Sequence, residues 1–114
     1  MAWLVHEGTV LATLERADSV AKRTKGLLGR EAFEGALLLE KTRSVHTIGM
    51  KFAMDVAYCD KDLQVRRIVT LPPHRIARPD LGADCVIEAE AGRFAHWNVQ
   101  VGDQLEIRGE LHDE

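Results

Sequence analysis

From Thr47 to Cys59 the even positions Ile48, Met50, Phe52, Met54, Val56 and Tyr58 are apolar, while the odd positions are small or polar. Period two is the signature of a strand with one apolar face. One straight strand of that length would be unusual, so the pattern predicts a bend or bulge between Gly49 and Ala53. Asp60-Lys61-Asp62 reads as a turn, and residues 63–70 return as a second strand stopped by Pro72-Pro73. Near the start, residues 3–5 and 9–14 are β-prone runs flanking His6-Glu7-Gly8, a connection of hairpin length. Residues 35–40 are too continuously apolar for a solvated strand and are expected to cross the core. A further strand over 84–89 places Cys85 and Ile87 on one side and Val86 and Glu88 on the other, and a closing strand over 104–108 follows a turn at Val101-Gly102-Asp103.

Helical spacing is confined to two places. Asp18 has the chemistry of an N-cap, and Gly29 stands where a C-terminal glycine would take positive φ, which predicts a helix over 19–28. In that helix Val20, Thr24, Leu27 and Leu28 would share the core-facing side. Residues 91–97 predict a shorter helix with Phe94 and Trp97 directed inward. Residues 74–83, rich in turn formers, read as a loop long enough to cover something. Strands therefore outnumber helices. The expected class is α+β, a mainly antiparallel β roll or partly closed barrel with one amphipathic helix and one short helix.

A length of 114 residues fits one domain, 1–114, with a polar tail from about 109. With 46% hydrophobic and 29% charged residues the chain has a globular composition. A net charge of -3 supplies no global attraction to nucleic acid or anionic lipid. Apolar runs such as Ala36-Leu37-Leu38-Leu39 are far shorter than the roughly 20 residues that span a bilayer. The first residues lack a basic signal-peptide n-region, so the expected compartment is the cytoplasm. Cys59 and Cys85 match no metal or redox spacing and are expected to be buried free thiols.

Candidate chemistry centres on residues 44–60. His46 could act as a base near neutral pH, with Asp55 fixing its tautomer. On a straight strand the two would be about 30 Å apart and on opposite faces, so they meet only if the chain folds back between Gly49 and Ala53. Ser44 shares the His46 side of a strand, but no Gly-x-Ser-x-Gly elbow surrounds it. No metal spacing links His46, Asp55, His74, Glu88 and His96, and no metal or other cofactor is expected. His6 and His96 read as surface or hydrogen-bonded polar residues. Gly26-Leu27-Leu28-Gly29-Arg30 lies at a helix C-terminus, where the dipole disfavours anions, so it reads as a cap, with Arg30 free to reach the last carbonyls or a carboxylate. Arg66, Arg67, Arg75 and Arg78 form a locally basic stretch with no interleaved aromatics, which disfavours base stacking.

Taken in order, "GLLGR", "SVHTIGMKFAMDVAYCD", "VIEAEAG" and "VGDQLEI" resemble the prokaryotic domain of unknown function 192 family. Matching positions are Gly26, Gly29, Arg30, Ser44, His46, Thr47, Met50, Phe52, Asp55, Val56, Glu88, Gly92, Gly102 and Asp103, and Ala53 stands where the family pattern has proline. The resemblance implies a compact, β-rich α+β domain and no established reaction. The first functional expectation is a binding module for a small or anionic ligand or a protein partner. Arg30, Ser44, His46, Asp55 and Glu88 would line its polar pocket beside the loop of residues 72–82. Alanine at His46 or Asp55 would then change stability by less than about 1 kcal/mol. The alternatives are a hydrolase-like enzyme with His46 as general base and Asp55 as its partner, and a structural or assembly protein without a pocket.

Overall fold

The computed structural model describes residues 1–109. The central hairpin forms as the alternation predicts: β4 (Met54–Cys59) pairs antiparallel with β5 (Val65–Leu71) across the turn at Asp60. Asp60 holds that turn by accepting from the backbone N–H groups of Asp62 and Gln64 through Oδ1. On its other edge β4 pairs antiparallel with β6 (Cys85–Glu90). The predicted first hairpin is β1 (Ala2–His6) with β2 (Thr9–Ala17), and the predicted core strand is β3 (Ala36–Glu40). β7 (Glu106–Gly109) completes a seven-stranded sheet of order β5-β4-β6-β3-β2-β1-β7. Among the described residues only the β2–β3 pair runs parallel, so the sheet is mixed.

The sheet does not close fully, yet its edges approach at one end. Gln64 and Gln104, just before β5 and β7, form an isolated antiparallel bridge, and Val65 N–H donates to the Asp103 carbonyl at 2.8 Å. The result is a partly closed β roll, as the strand count implies.

Both faces of the central strands are buried, and every residue of β4 is inaccessible. One core contains Leu4, Leu38, Ala57, Cys59, Ile87 and Phe94. The other contains Leu27, Leu39, Met54, Val56, Tyr58 and Val86. Strand alternation thus sends Ala57 and Ile87 one way and Val56 and Val86 the other. The cysteines are buried free thiols on the first face, directly opposite each other across β4 and β6. The Cys85 side chain and burial push the Cys59 thiol up.

Three local predictions change. The α1 helix spans only Val20–Lys25; its N-cap is Ser19, whose Oγ accepts from Lys22 N–H at 3.1 Å, and it ends at Gly26 with φ 50 and ψ -127. None of its residues is buried, and Val20 is 72% exposed. The apolar anchor is Leu27, which follows the helix and is 1% exposed. Only glycine takes the Gly26 conformation readily, so the helix stops a turn early and the expected amphipathic face does not form.

The second change concerns residues 47–53, which leave the sheet altogether. Gly49 has φ 84, and Met50 N–H closes a turn on the Thr47 carbonyl at 3.0 Å. The expected break between Gly49 and Ala53 is present, but it ends the strand instead of bending it. Preceding residues pair with the loop: His46 bridges Ile76, and buried Thr47 donates through Oγ1 to the Pro72 carbonyl at 2.6 Å and accepts from Arg75 N–H at 2.9 Å. That loop covers the second core with Ala77 and Ala83.

The third change concerns Asp55. It is 3% exposed, shares the face of Ala57 and Cys59, and accepts three hydrogen bonds: from Thr70 Oγ1 at 2.6 Å, Gly92 N–H at 3.0 Å and Phe94 N–H at 3.2 Å. The carboxylate thereby fastens the short α2 helix (Arg93–His96) to the sheet, with Phe94 and Trp97 in an edge-to-face contact at 5.5 Å. Asp55→Ala strands those buried donors. It is expected to cost about 3 kcal/mol, against the small effect expected from sequence, and urea denaturation checks it.

Candidate functional site

The second core does not fill the space beneath α1. A cleft of about 330 Å³ remains, lined by α1 and the residues just after it, by residues 41–46 with Ile48 and Met50, and by Met54 and Glu88 from the sheet. This volume lies at the low end of small-molecule sites, roughly 300–1,000 Å³. Leu27, Leu28, Met50 and Met54 give it apolar walls, while Ser44, Thr24 and Thr42 supply hydroxyls.

Its charge is one-sided. Arg23 and Lys25 from α1 and Lys41 and Arg43 from the segment after β3 all line the cleft, and among the described residues Glu88 is the only acid that does. Two of the cations are held in place: Arg23 Nη1 donates to the Asp18 carbonyl at 2.8 Å and Arg43 Nε to the Ala83 carbonyl at 3.1 Å. Neither Lys25 nor Lys41 joins an ion pair with an acid among the described residues. His46 is exposed at the same rim, where its Nδ1 accepts from Ile48 N–H at 3.2 Å.

Glu88 has a different environment. β6 sends it to the Val86 side of the sheet, where it is 3% exposed and Oε1 has no hydrogen-bond partner. Burial pushes its carboxyl up from 4.5 to about 7, because desolvation disfavours the charged form. The carboxyl lies under Gly26, where a Cβ would come within 3.0 Å of Oε1. Gly26 therefore meets two demands at once, a backbone turn that favours glycine and room for the acid below it. A buried carboxyl without a partner is costly in a core that could have been apolar, which makes Glu88 a candidate site residue.

Of the five candidates named from sequence, Ser44, His46 and Glu88 come together around the cleft. Arg30 does not join them. It lines a smaller neighbouring cleft of about 160 Å³, pairs with Glu15 at 2.8 Å and stacks over Phe33 at 4.9 Å. Asp55 faces the first core, on the opposite side of the sheet from Glu88, and no hydrogen bond or ion pair joins it to His46. The His46–Asp55 pair required by the hydrolase-like reading is therefore not assembled. No group of three or more His, Cys, Asp and Glu residues among those described is arranged to hold a metal ion.

Two of the arginines between residues 66 and 78 serve local structure: Arg66 bonds both Asp80 oxygens at 3.1 and 3.2 Å, and Arg67 stacks over Tyr58 at 4.8 Å. Among the described residues, no helix is long and apolar enough to cross a membrane.

Sequence reasoning did not single out Arg23, Lys25, Lys41 or Arg43 for the site. Their signal was present as two short basic clusters, Lys22-Arg23-Thr24-Lys25 and Lys41-Thr42-Arg43, but nothing local shows that the two face one cavity.

Comparison with known proteins places the chain in a family. The DUF192 family model, described as an uncharacterized ACR, matches residues 2–107. A UPF0127 protein of Pyrococcus furiosus is 32% identical over 95 residues, covering 79% of this chain and 82% of the relative. Its counterpart in Pyrococcus abyssi is 32% identical over 98 residues, covering 82% and 84%. Among solved structures, a protein of unknown function from Novosphingobium aromaticivorans superposes with a TM-score of 0.79 at 18% identity over 92% of this chain and 82% of the other, which is a likeness of fold alone. A Sinorhizobium meliloti protein with a provisional description as a transcription regulator gives 0.76 at 27% identity, over 92% and 90%.

The buried acid has a measurable signature. Its folded-state affinity for a proton exceeds that of the unfolded chain, so its contribution to stability is greatest below about pH 4.5 and declines until about pH 7. The decline should be on the order of 3 kcal/mol. Glu88→Gln is expected to flatten stability over that interval, as read by urea denaturation at a series of pH values.

Proposed function

The chain belongs to the DUF192 family, and we propose that it is a binding module whose cleft beneath α1 takes a small anionic ligand. One observation carries the reading. Arg23, Lys25, Lys41 and Arg43 converge on one cavity in a protein whose net charge is -3. Cations concentrated against the overall balance raise the local potential where a low-dielectric wall focuses it, and this attracts an anion. Ser44 and His46 add hydrogen-bonding groups at the same rim. Arg43 is held by the Ala83 carbonyl and so presents its remaining guanidinium donors with little further loss of freedom.

Apolar walls give the ligand a carbon skeleton to bury, which favours a small organic anion over an inorganic one. His46 contributes here as a rim donor or acceptor, and no catalytic step is assigned to it.

Inorganic phosphate is the simplest probe. Titrated into the folded protein, it should shift the amide signals of residues 23–26 and 41–46 in a saturable way, and added chloride should weaken the effect. The Lys25→Ala, Lys41→Ala double variant is expected to weaken binding by about three- to tenfold with an unchanged fold. Phosphate shifts scattered over the surface, or equal affinity in the double variant, would contradict the proposal.

A further inference from the structure

The geometry points to the class of ligand: we infer that the cleft selects a hydroxylated organic anion, its acidic group held at the basic rim and a hydroxyl held against the carboxyl of Glu88. This inference rests on the anion-binding reading above and adds the part of the ligand that the rim cannot recognise.

Glu88 is 3% exposed, lines the cleft and keeps an oxygen without a hydrogen-bond partner. No residue lining the cleft supplies one: Leu27, Met50 and Met54 are apolar, Gly26 above the carboxyl contributes only backbone, and none of the polar lining groups bonds to that oxygen. Ligand binding withdraws the cleft from water, so a group placed beside Glu88 must hydrogen-bond to it or leave it stranded. A purely hydrocarbon ligand end leaves that oxygen unpaired, as it is in the free cleft, and forgoes the hydrogen bond that a polar group gains there.

Three chemistries could satisfy a carboxyl: a second anion, an ammonium or a hydroxyl. A second anion pairs with Glu88 only while Glu88 holds its proton. An ammonium has to pass the four cations of the rim to reach it. A hydroxyl both donates and accepts, so it complements the acid and the carboxylate alike and carries no charge past the rim. Polar recognition of this kind discriminates sharply, since the analogue without the hydroxyl leaves a buried group unpaired. Glu88 is thus a specificity-determining residue, and the shared chemistry is a hydroxylated carboxylate or a hydroxylated phosphate monoester.

Matched pairs test this on the full chain: glycerol 3-phosphate against propyl phosphate, and glycerate against propionate, with inorganic phosphate as the reference, all by calorimetry or amide titration. The hydroxylated member of at least one pair should bind about tenfold more tightly. The pair with the larger preference identifies the phosphate or the carboxylate as the natural anion. Glu88→Leu, which removes the polar group, should bring the two members of each pair to equal affinity. Should that variant fail to fold, the matched pairs on the parent protein still decide. Equal binding within both pairs would overturn the inference and leave the anion site standing, as would a preference that survives in Glu88→Leu. Failure of all five probes to bind would overturn the anion site and the inference together.

Discussion

The two-sided burial of β4 and β6 governs this structure. A strand covered on both faces has no solvent side on which to place a charge, so each polar side chain it carries must be paired or must remain as an energetic cost. Two buried acids occupy those strands, and their situations differ. Asp55 finds three donors and becomes the fastening point of α2. Glu88, across the sheet, has an oxygen with no partner and opens onto a cleft. The same residue chemistry is tied into the structure on one face and left unpaired beside a cleft on the other.

The roof over Glu88 follows from backbone features that act together. Gly26 ends α1 early and lies close above the carboxyl, so no side chain intrudes there. Gly49 turns residues 47–53 out of the sheet, and Thr47 ties that excursion to the loop beginning at Pro72. These departures from regular structure leave space on the second face where a longer helix and a continuous strand would have packed. The cost of leaving a polar oxygen unpaired there is the sort of local expense that functional sites carry.

Much of the fold was legible because period-two alternation is a local signal. It located the central hairpin and put Val86 and Glu88 on the correct shared side, while a hairpin-length connection marked the first hairpin and an unbroken apolar run marked β3. The end of α1 was misplaced because helical spacing continues through Leu27 and Leu28, whereas the stop depends on the backbone conformation of Gly26. Asp55 looked like a pocket residue because its partners, Thr70, Gly92 and Phe94, are distant in sequence and two of them act through backbone N–H groups that no side-chain pattern displays. Ser44, His46 and Glu88 were legible as polar residues within or beside strand-like runs. The cationic rim was not, since α1 and the segment after β3 meet only through the parallel pairing of β2 with β3 and the return of the chain across the sheet.

The side-chain carboxyl ¹³C shift of Glu88, followed from acid to alkaline pH, decides whether Glu88 is a buried, unpartnered carboxyl facing the cleft. Burial predicts a midpoint near 7, far above the ordinary 4.5, and the signal should be displaced when glycerol 3-phosphate fills the cleft. A midpoint at the ordinary carboxylate value, with a signal indifferent to ligand, would mean that Glu88 is solvated or paired and that the account of the site is wrong.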